Sequence, residues 1–196
     1  CFIRECPTRP GRAVSTLVRD AGEFYAWDGT RFVLIPEENI KAGLYLFLQE
    51  ATYWSPKEKK HIYFKPTMNK INQVLDALKA ICRRPLTNTS PSFLDPLWNA
   101  AAADFVAFQN GLLYLPVPEL DPHTPDFYNH NALPFDYDPH NRTITEWQKF
   151  LFSIWSDNPD AIECLRQMFG YIVAGGTKLH KIMMIIGPRR SGKGTI

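Results

Sequence analysis

The spacing of apolar positions changes several times along the chain, and each change predicts an element. From Glu23 to Ile35, "EFYAWDGTRFVLI", aromatic and β-branched residues form two short runs around Asp28-Gly29, the pattern of a hairpin. From Pro36 to about Ala51 the apolar step lengthens to three and four. Ile40, Leu44, Phe47, Leu48 and Ala51 then share one stripe of an expected helix. A second helical stripe, Ile71, Val74, Leu75, Leu78 and Ile81, can be capped by Thr67 and is ended by Pro85. Strand character returns in "FVAFQNGLLYL", Phe105 to Leu115, where Asn110-Gly111 is expected to supply the positive φ angles of a tight turn. Pro116 to about Asn141 carries prolines and carboxylates without periodic apolars, and a surface loop is expected.

Two further helices follow. Trp147, Phe150, Leu151, Ile154 and Trp155 line one, and Ile162, Leu165, Phe169, Ile172 and Val173 the other, between a start at Asn158-Pro159 and a stop at Gly175-Gly176. Their short connector makes them antiparallel neighbours. Their aromatic stripe suits a core, with an oligomer surface as the alternative. The last apolar run, Lys181 to Ile186, has the composition of a strand buried on both faces of a parallel sheet.

This order predicts an α+β domain over residues 21–142, a helical pair over 143–180, and over 181–196 the first strand and glycine loop of a truncated α/β ATPase domain. Residues 1–20 have mixed polarity and no apolar period, and are expected to be a linker. No apolar segment suits a signal peptide or a membrane span, so a cytoplasmic protein is expected. Cys1, Cys6, Cys82 and Cys164 form no CxxC pair, and free thiols are the default. His123, His130 and His140 share the proline-rich loop with Asp121, Asp126 and Asp138; a polar surface suits them better than a metal cluster.

The net charge of +2 does not by itself indicate a nucleic-acid binder. Its distribution is more informative. After Glu163 there is no acidic residue, whereas Arg166, Lys178, Lys181, Arg189, Arg190 and Lys193 are basic. Tyr63 and Phe64 lie among Lys57, Lys59, Lys60, Lys65 and Lys70, a composition that suits either a solvated edge or a surface that stacks bases and neutralises phosphates.

The chemistry concentrates in "GPRRSGKGT". Gly187, Pro188, Arg189, Arg190, Ser191, Gly192 and Lys193 fit G-x-x-x-x-G-K, in which backbone N–H groups close around phosphate oxygens and the lysine reaches the outer phosphates. The full pattern then wants Ser or Thr. Gly194 occupies that place and Thr195 follows one residue late, so the hydroxyl expected on Mg²⁺ is displaced. A plain glycine turn between strand and helix is the bland reading, but an apolar run leading directly into the glycines favours ATP. A nucleotide monophosphate kinase carries a similar loop close to its start, unlike this chain.

"NGLLYLPVPEL", "HNALPFDYDP", "FLFSIWSDNPDAIECLRQMFGYIVAG" and "IMMIIGPRRSGKGT", in that order, resemble the phage and plasmid primase-helicase family. In that family an α+β region and a helical bundle precede a superfamily 3 helicase motor of AAA+-like fold. The likeness runs from about Glu23 to Ile196. It implies an ATP-driven, ring-forming helicase acting on single-stranded or forked DNA in the replication of a mobile element, often with a primase domain upstream. It also implies a Walker A loop at Gly187 to Thr195, with Lys193 on phosphate and Thr195 on Mg²⁺. The other motor motifs lie beyond these residues, so residues 1–196 alone are expected to bind ATP weakly and not to hydrolyse it. The alternative is a non-enzymatic DNA-binding or oligomerisation module formed by the residues before Gly176.

Overall fold

The computed structural model describes residues 3–6, 9–84, 90–95, 98, 100–140, 145–174 and 179–196, with backbone alone for 3–6 and 9–14. Its elements run β1 (Ile3–Cys6), β2 (Arg9–Ser15), β3 (Leu17–Asp20), β4 (Glu23–Trp27), β5 (Phe32–Ile35), α1 (Glu37–Glu50), β6 (Thr52–Ser55), β7 (Lys60–Tyr63) and α2 (Met68–Ile81). Then follow β8 (Ser92–Phe93), β9 (Phe105–Phe108), β10 (Gly111–Tyr114), β11 (Glu119–Asp121), β12 (Phe127–Tyr128), α3 (Thr145–Trp155) and α4 (Pro159–Val173). The fold is mixed α+β, with four helices and small antiparallel sheets among the described residues. The chain divides into two compact units, residues 1–98 with 123–132, and residues 99–122 with 133–196.

In the first unit β3, β4 and β5 form a three-stranded meander. The expected hairpin is β4–β5, whose turn is held by Asp28. Its Oδ1 accepts from the backbone N–H of Thr30 at 2.8 Å and of Arg31 at 2.9 Å, and Gly29 takes φ 118°. Burial would raise the Asp28 carboxyl, but these backbone bonds and the Thr30 hydroxyl outweigh it and hold it below its ordinary value.

Residues 1–20, expected to be a linker, instead contribute β1, β2 and β3. Leu17 and Val18 are buried, and Asp20 turns into Glu23 through Ala21 at φ 48° and Gly22 at φ 94°. Two successive left-handed residues match the twist of a tight hairpin, a geometry that Gly22 adopts without strain.

Successive residues of β3 face opposite sides. Leu17 joins Phe24, Ile40, Leu44, Ile71 and Leu75 beneath α1 and α2, whereas Val18 joins Phe32 and Tyr128 on the other face. The helical stripes are therefore core along part of their length only. Phe47 and Ile81, expected on those stripes, are exposed, and Thr67 sits at the α2 cap position without a side-chain cap bond.

The proline-rich segment departs most from expectation. Thr124 to Asn129 are buried, β12 pairs with β8, and Asn129 O accepts from Phe32 N at 2.8 Å. Residues 124–129 thus cover the open face of the meander with aromatic side chains, whereas residues 116–122 and most of 131–140 are exposed as expected.

The second unit contains the meander β9–β10–β11. The expected hairpin forms, but neither Asn110 nor Gly111 has a positive φ. Asn110 acts through its side chain, donating to Tyr137 O at 3.0 Å and accepting from Tyr137 N at 2.9 Å. Gly111 is required by close approach, because a Cβ there would lie 2.6 Å from Asp121 O. Helices α3 and α4 pack as antiparallel neighbours, with Trp147 stacked on Phe169 at 6.2 Å. Pro159 opens α4, and Asn158 Oδ1 accepts from Ala161 N at 3.0 Å. The stop at Gly175-Gly176 lies outside the described residues.

Candidate functional site

The glycine-lysine loop lies in the second unit. Its predicted strand does not form: the backbone from Lys181 to Pro188 lies outside any sheet, and Ile182, Met184 and Ile186 are 92%, 76% and 85% exposed. A strand is stabilised by partners that complete its hydrogen bonds and cover its faces, and none of the described strands lies beside this run.

The loop itself is built. Arg190 at φ 62° and Gly192 at φ 80° reverse the chain, which returns Lys193 over the start of the loop. Its ammonium donates to Gly187 O at 2.9 Å, Pro188 O at 2.5 Å and Ser191 Oγ at 3.2 Å, which uses all three of its N–H bonds. A Cβ on Gly187 would lie 3.0 Å from Ser191 Oγ, so glycine keeps the loop open there. Gly192 rests against α3, where a Cβ would meet Ile154 Cδ1 at 2.9 Å and Phe150 Cζ at 3.5 Å. The left-handed backbone and the close approach both require glycine at this position.

Thr195 N donates to Gly192 O at 3.0 Å in a turn; a helix does not begin here. Pro188, Arg189, Arg190, Gly194 and Thr195 are exposed. For a phosphate group the loop offers the backbone beside its glycines and the Lys193 ammonium, which the loop's own oxygens now occupy. For Mg²⁺ it offers only the hydroxyls of Thr195 and of Ser191, the latter bonded to Lys193, and among the described residues no group of three or more His, Cys, Asp or Glu side chains could hold a metal.

The basic approach is weaker than its composition. Arg166 pairs with Glu163 at 2.8 Å, and hydrogen bonds from Arg166 and Gln167 hold the Glu163 carboxyl below its ordinary value. Lys181, Arg189 and Arg190 are exposed, and Lys178 lies outside the described residues. The histidine and aspartate segment is corrected from surface to partial core: Asp126 is fully buried, and Tyr25 packs on His130 at 4.6 Å. Cys82 and Cys164 are free thiols, with burial pushing the Cys82 thiol up. Of Cys1, and of the Cys6 side chain, nothing is described.

A buried polar cluster in the first unit has no local sequence signal. Arg84 Nη1 donates to Asp20 Oδ2 at 2.9 Å and Nη2 to Ser92 Oγ at 2.6 Å, and the Tyr128 hydroxyl donates to the same Asp20 oxygen at 3.0 Å. The guanidinium lies 4.2 Å over the Tyr128 ring. Burial, then the bond to Asp20, keeps the Tyr128 phenol protonated well above its ordinary range. The cluster joins segments 64 and 108 residues apart in sequence, and its chemistry is that of a structural tie.

The model of the family described as D5 N terminal like matches residues 11–156, about three quarters of the chain. The chain belongs to the D5 N terminal like family. That family is typical of the N-terminal region of phage and plasmid primase-helicase proteins, which is consistent with a replication protein. The D5 N terminal like match includes both meanders, α1, α2 and α3, and stops before α4 and the glycine-lysine loop. No curated protein matches the chain. Among the described residues no helix is long and apolar enough to cross a membrane.

Proposed function

We propose that the chain is the N-terminal part of an ATP-dependent replicative DNA helicase of a phage, plasmid or related mobile element. Gly187 to Thr195 serve as its Walker A loop, Lys193 contacts the outer phosphates, and Thr195 is the Mg²⁺ ligand. The protein assembles as a homo-oligomeric ring on single-stranded or forked DNA in the cytoplasm. The observation that carries the reading is Lys193 folded into a loop reversed at Arg190 and Gly192, so that its ammonium faces the backbone of Gly187 and Pro188. An anion entering there exchanges the Lys193 bonds to neutral carbonyls for bonds in which donor and acceptor are both ionised. The order of a D5 N terminal like region followed by G-x-x-x-x-G-K supports the same reading.

The test is ATP hydrolysis, stimulated by single-stranded DNA, in the protein that carries this region. Lys193→Ala is expected to reduce turnover by about a thousandfold, on the scale of removing a cation from a phosphoryl-transfer site, without changing the circular dichroism spectrum. Turnover equal to wild type in that variant would remove the Walker A assignment.

A further inference from the structure

The β6–β7 hairpin of the first unit has no third strand beside it among the described residues. Its register sets Thr52 opposite Tyr63 and Trp54 opposite His61, and opposed residues share a face. On that face Trp54 is 54% and Tyr63 69% exposed, and the Trp54 and His61 rings meet edge-on at 5.4 Å. Trp54 and Tyr63 are diagonal neighbours, with Cβ atoms about 7 Å apart by sheet geometry, which leaves room for a flat group against each ring.

The charge around these rings is mostly positive. Lys57, Lys59 and Lys60 surround the hairpin turn, and Lys65 and Lys70 follow it. From residue 51 to residue 75 the sole acid is Glu58, which pairs with Lys60 at 3.2 Å. Lys70 lies 4.5 Å over the Phe64 ring, and the other lysines are solvent-exposed. Flat exposed rings bordered by cations complement a strand whose base faces are free and whose phosphates are evenly spaced, whereas a duplex hides its base faces.

We propose that the β6–β7 hairpin is a sequence-tolerant contact for single-stranded DNA, with Trp54 and Tyr63 stacking bases and Lys57 and Lys59 neutralising phosphates. This rests on the reading of the chain as part of a DNA-replication protein and gives the first unit a strand-binding surface of its own.

The experiment is fluorescence anisotropy of the chain with a labelled oligothymidylate of about 20 nucleotides, over a range of salt concentrations. Trp54→Ala with Tyr63→Ala is expected to weaken binding about tenfold or more while leaving duplex affinity and the circular dichroism spectrum unchanged. Lys57→Gln with Lys59→Gln is expected to reduce the slope of log affinity against log salt by about 1.4. Wild-type affinity in both variants would overturn the hairpin assignment. So would self-association abolished by the aromatic variant at unchanged DNA affinity, which would assign the patch to a second copy. A wild-type chain that binds no single-stranded DNA at low salt would overturn it as well. Failure of the helicase reading has a separate readout, undiminished ATP hydrolysis in Lys193→Ala.

Discussion

Replacing Arg84 by Met preserves much of the side-chain volume but removes the cation at the centre of the buried cluster. In the native chain the Arg84 side chain is 2% exposed, and it bonds Asp20 and Ser92 while lying over Tyr128. Breaking a buried pair by removing one partner costs about 3–5 kcal/mol, because the remaining charge is left uncompensated. The Asp20 side chain is 22% exposed and can recruit water, so the expected loss lies near the lower end, about 3 kcal/mol. That is a large fraction of an ordinary domain stability of about 5–15 kcal/mol. Tyr128→Phe removes one hydroxyl bond to the same Asp20 oxygen and is expected to cost about 1 kcal/mol. Because both donors end on Asp20 Oδ2, the double variant should depart from the sum of the two losses by more than about 0.5 kcal/mol. Urea unfolding followed by circular dichroism measures all three. A loss below about 1 kcal/mol for Arg84→Met, or strict additivity, would show that the cluster does not tie the first unit together.

Two further outcomes are expected. Leu75 is 3% exposed among Phe24, Ile40 and Ile71, so Leu75→Asp should destabilise the chain by about 3–5 kcal/mol, and an unchanged melting temperature would remove that stripe from the core. Hydrogen bonds from Lys41 and Lys79 hold the Glu37 carboxyl down to about 2. A depressed carboxylate adds stability above its unfolded pKa of about 4.3 and loses it as pH falls through the folded value. With its side chain one third exposed, solvent screening limits the effect, and Glu37→Gln should cost about 0.5–1 kcal/mol at neutral pH. Melting temperatures of the two proteins should converge as pH falls from about 4.3 towards about 2; a constant gap would show that the ion pairs carry no stability.

What was legible in the sequence was what local chemistry decides. Asp28-Gly29 marked its hairpin because the aspartate bonds the N–H groups of Thr30 and Arg31, and Asn158-Pro159 marked a helix start because cap and fixed φ act within one turn. Helical period located α1 to α4 but not the depth of burial, which depends on what lies opposite. Phe47 and Ile81 occupy stripe positions without a covering partner.

The segment from Thr124 to Asn129 read as surface because it lies in a longer stretch rich in prolines and carboxylates with no apolar period. Its burial comes from Phe127 and Tyr128 meeting β8 and the meander, contacts that no local window contains. Lys181 to Ile186 shows the reverse case. Its apolar content suits a buried strand, but burial and pairing come from neighbouring strands, and the described ones lie elsewhere. Of the candidate site, the glycine and lysine spacing was readable. The docking of Gly192 on Phe150 and Ile154, and the inward fold of Lys193, were not, because they depend on α3 and on backbone reversal at Arg190.

The central claim is that residues 187–195 hold the phosphates of ATP through backbone N–H groups and Lys193. Amide hydrogen exchange on the protein carrying this region, with and without Mg-ATP, tests it most directly. The account predicts slowed exchange from Arg189 to Thr195 on addition of nucleotide, and loss of that protection in Lys193→Ala. Nucleotide-dependent protection confined to other segments, with the amides of this loop exchanging as freely as before, would contradict it.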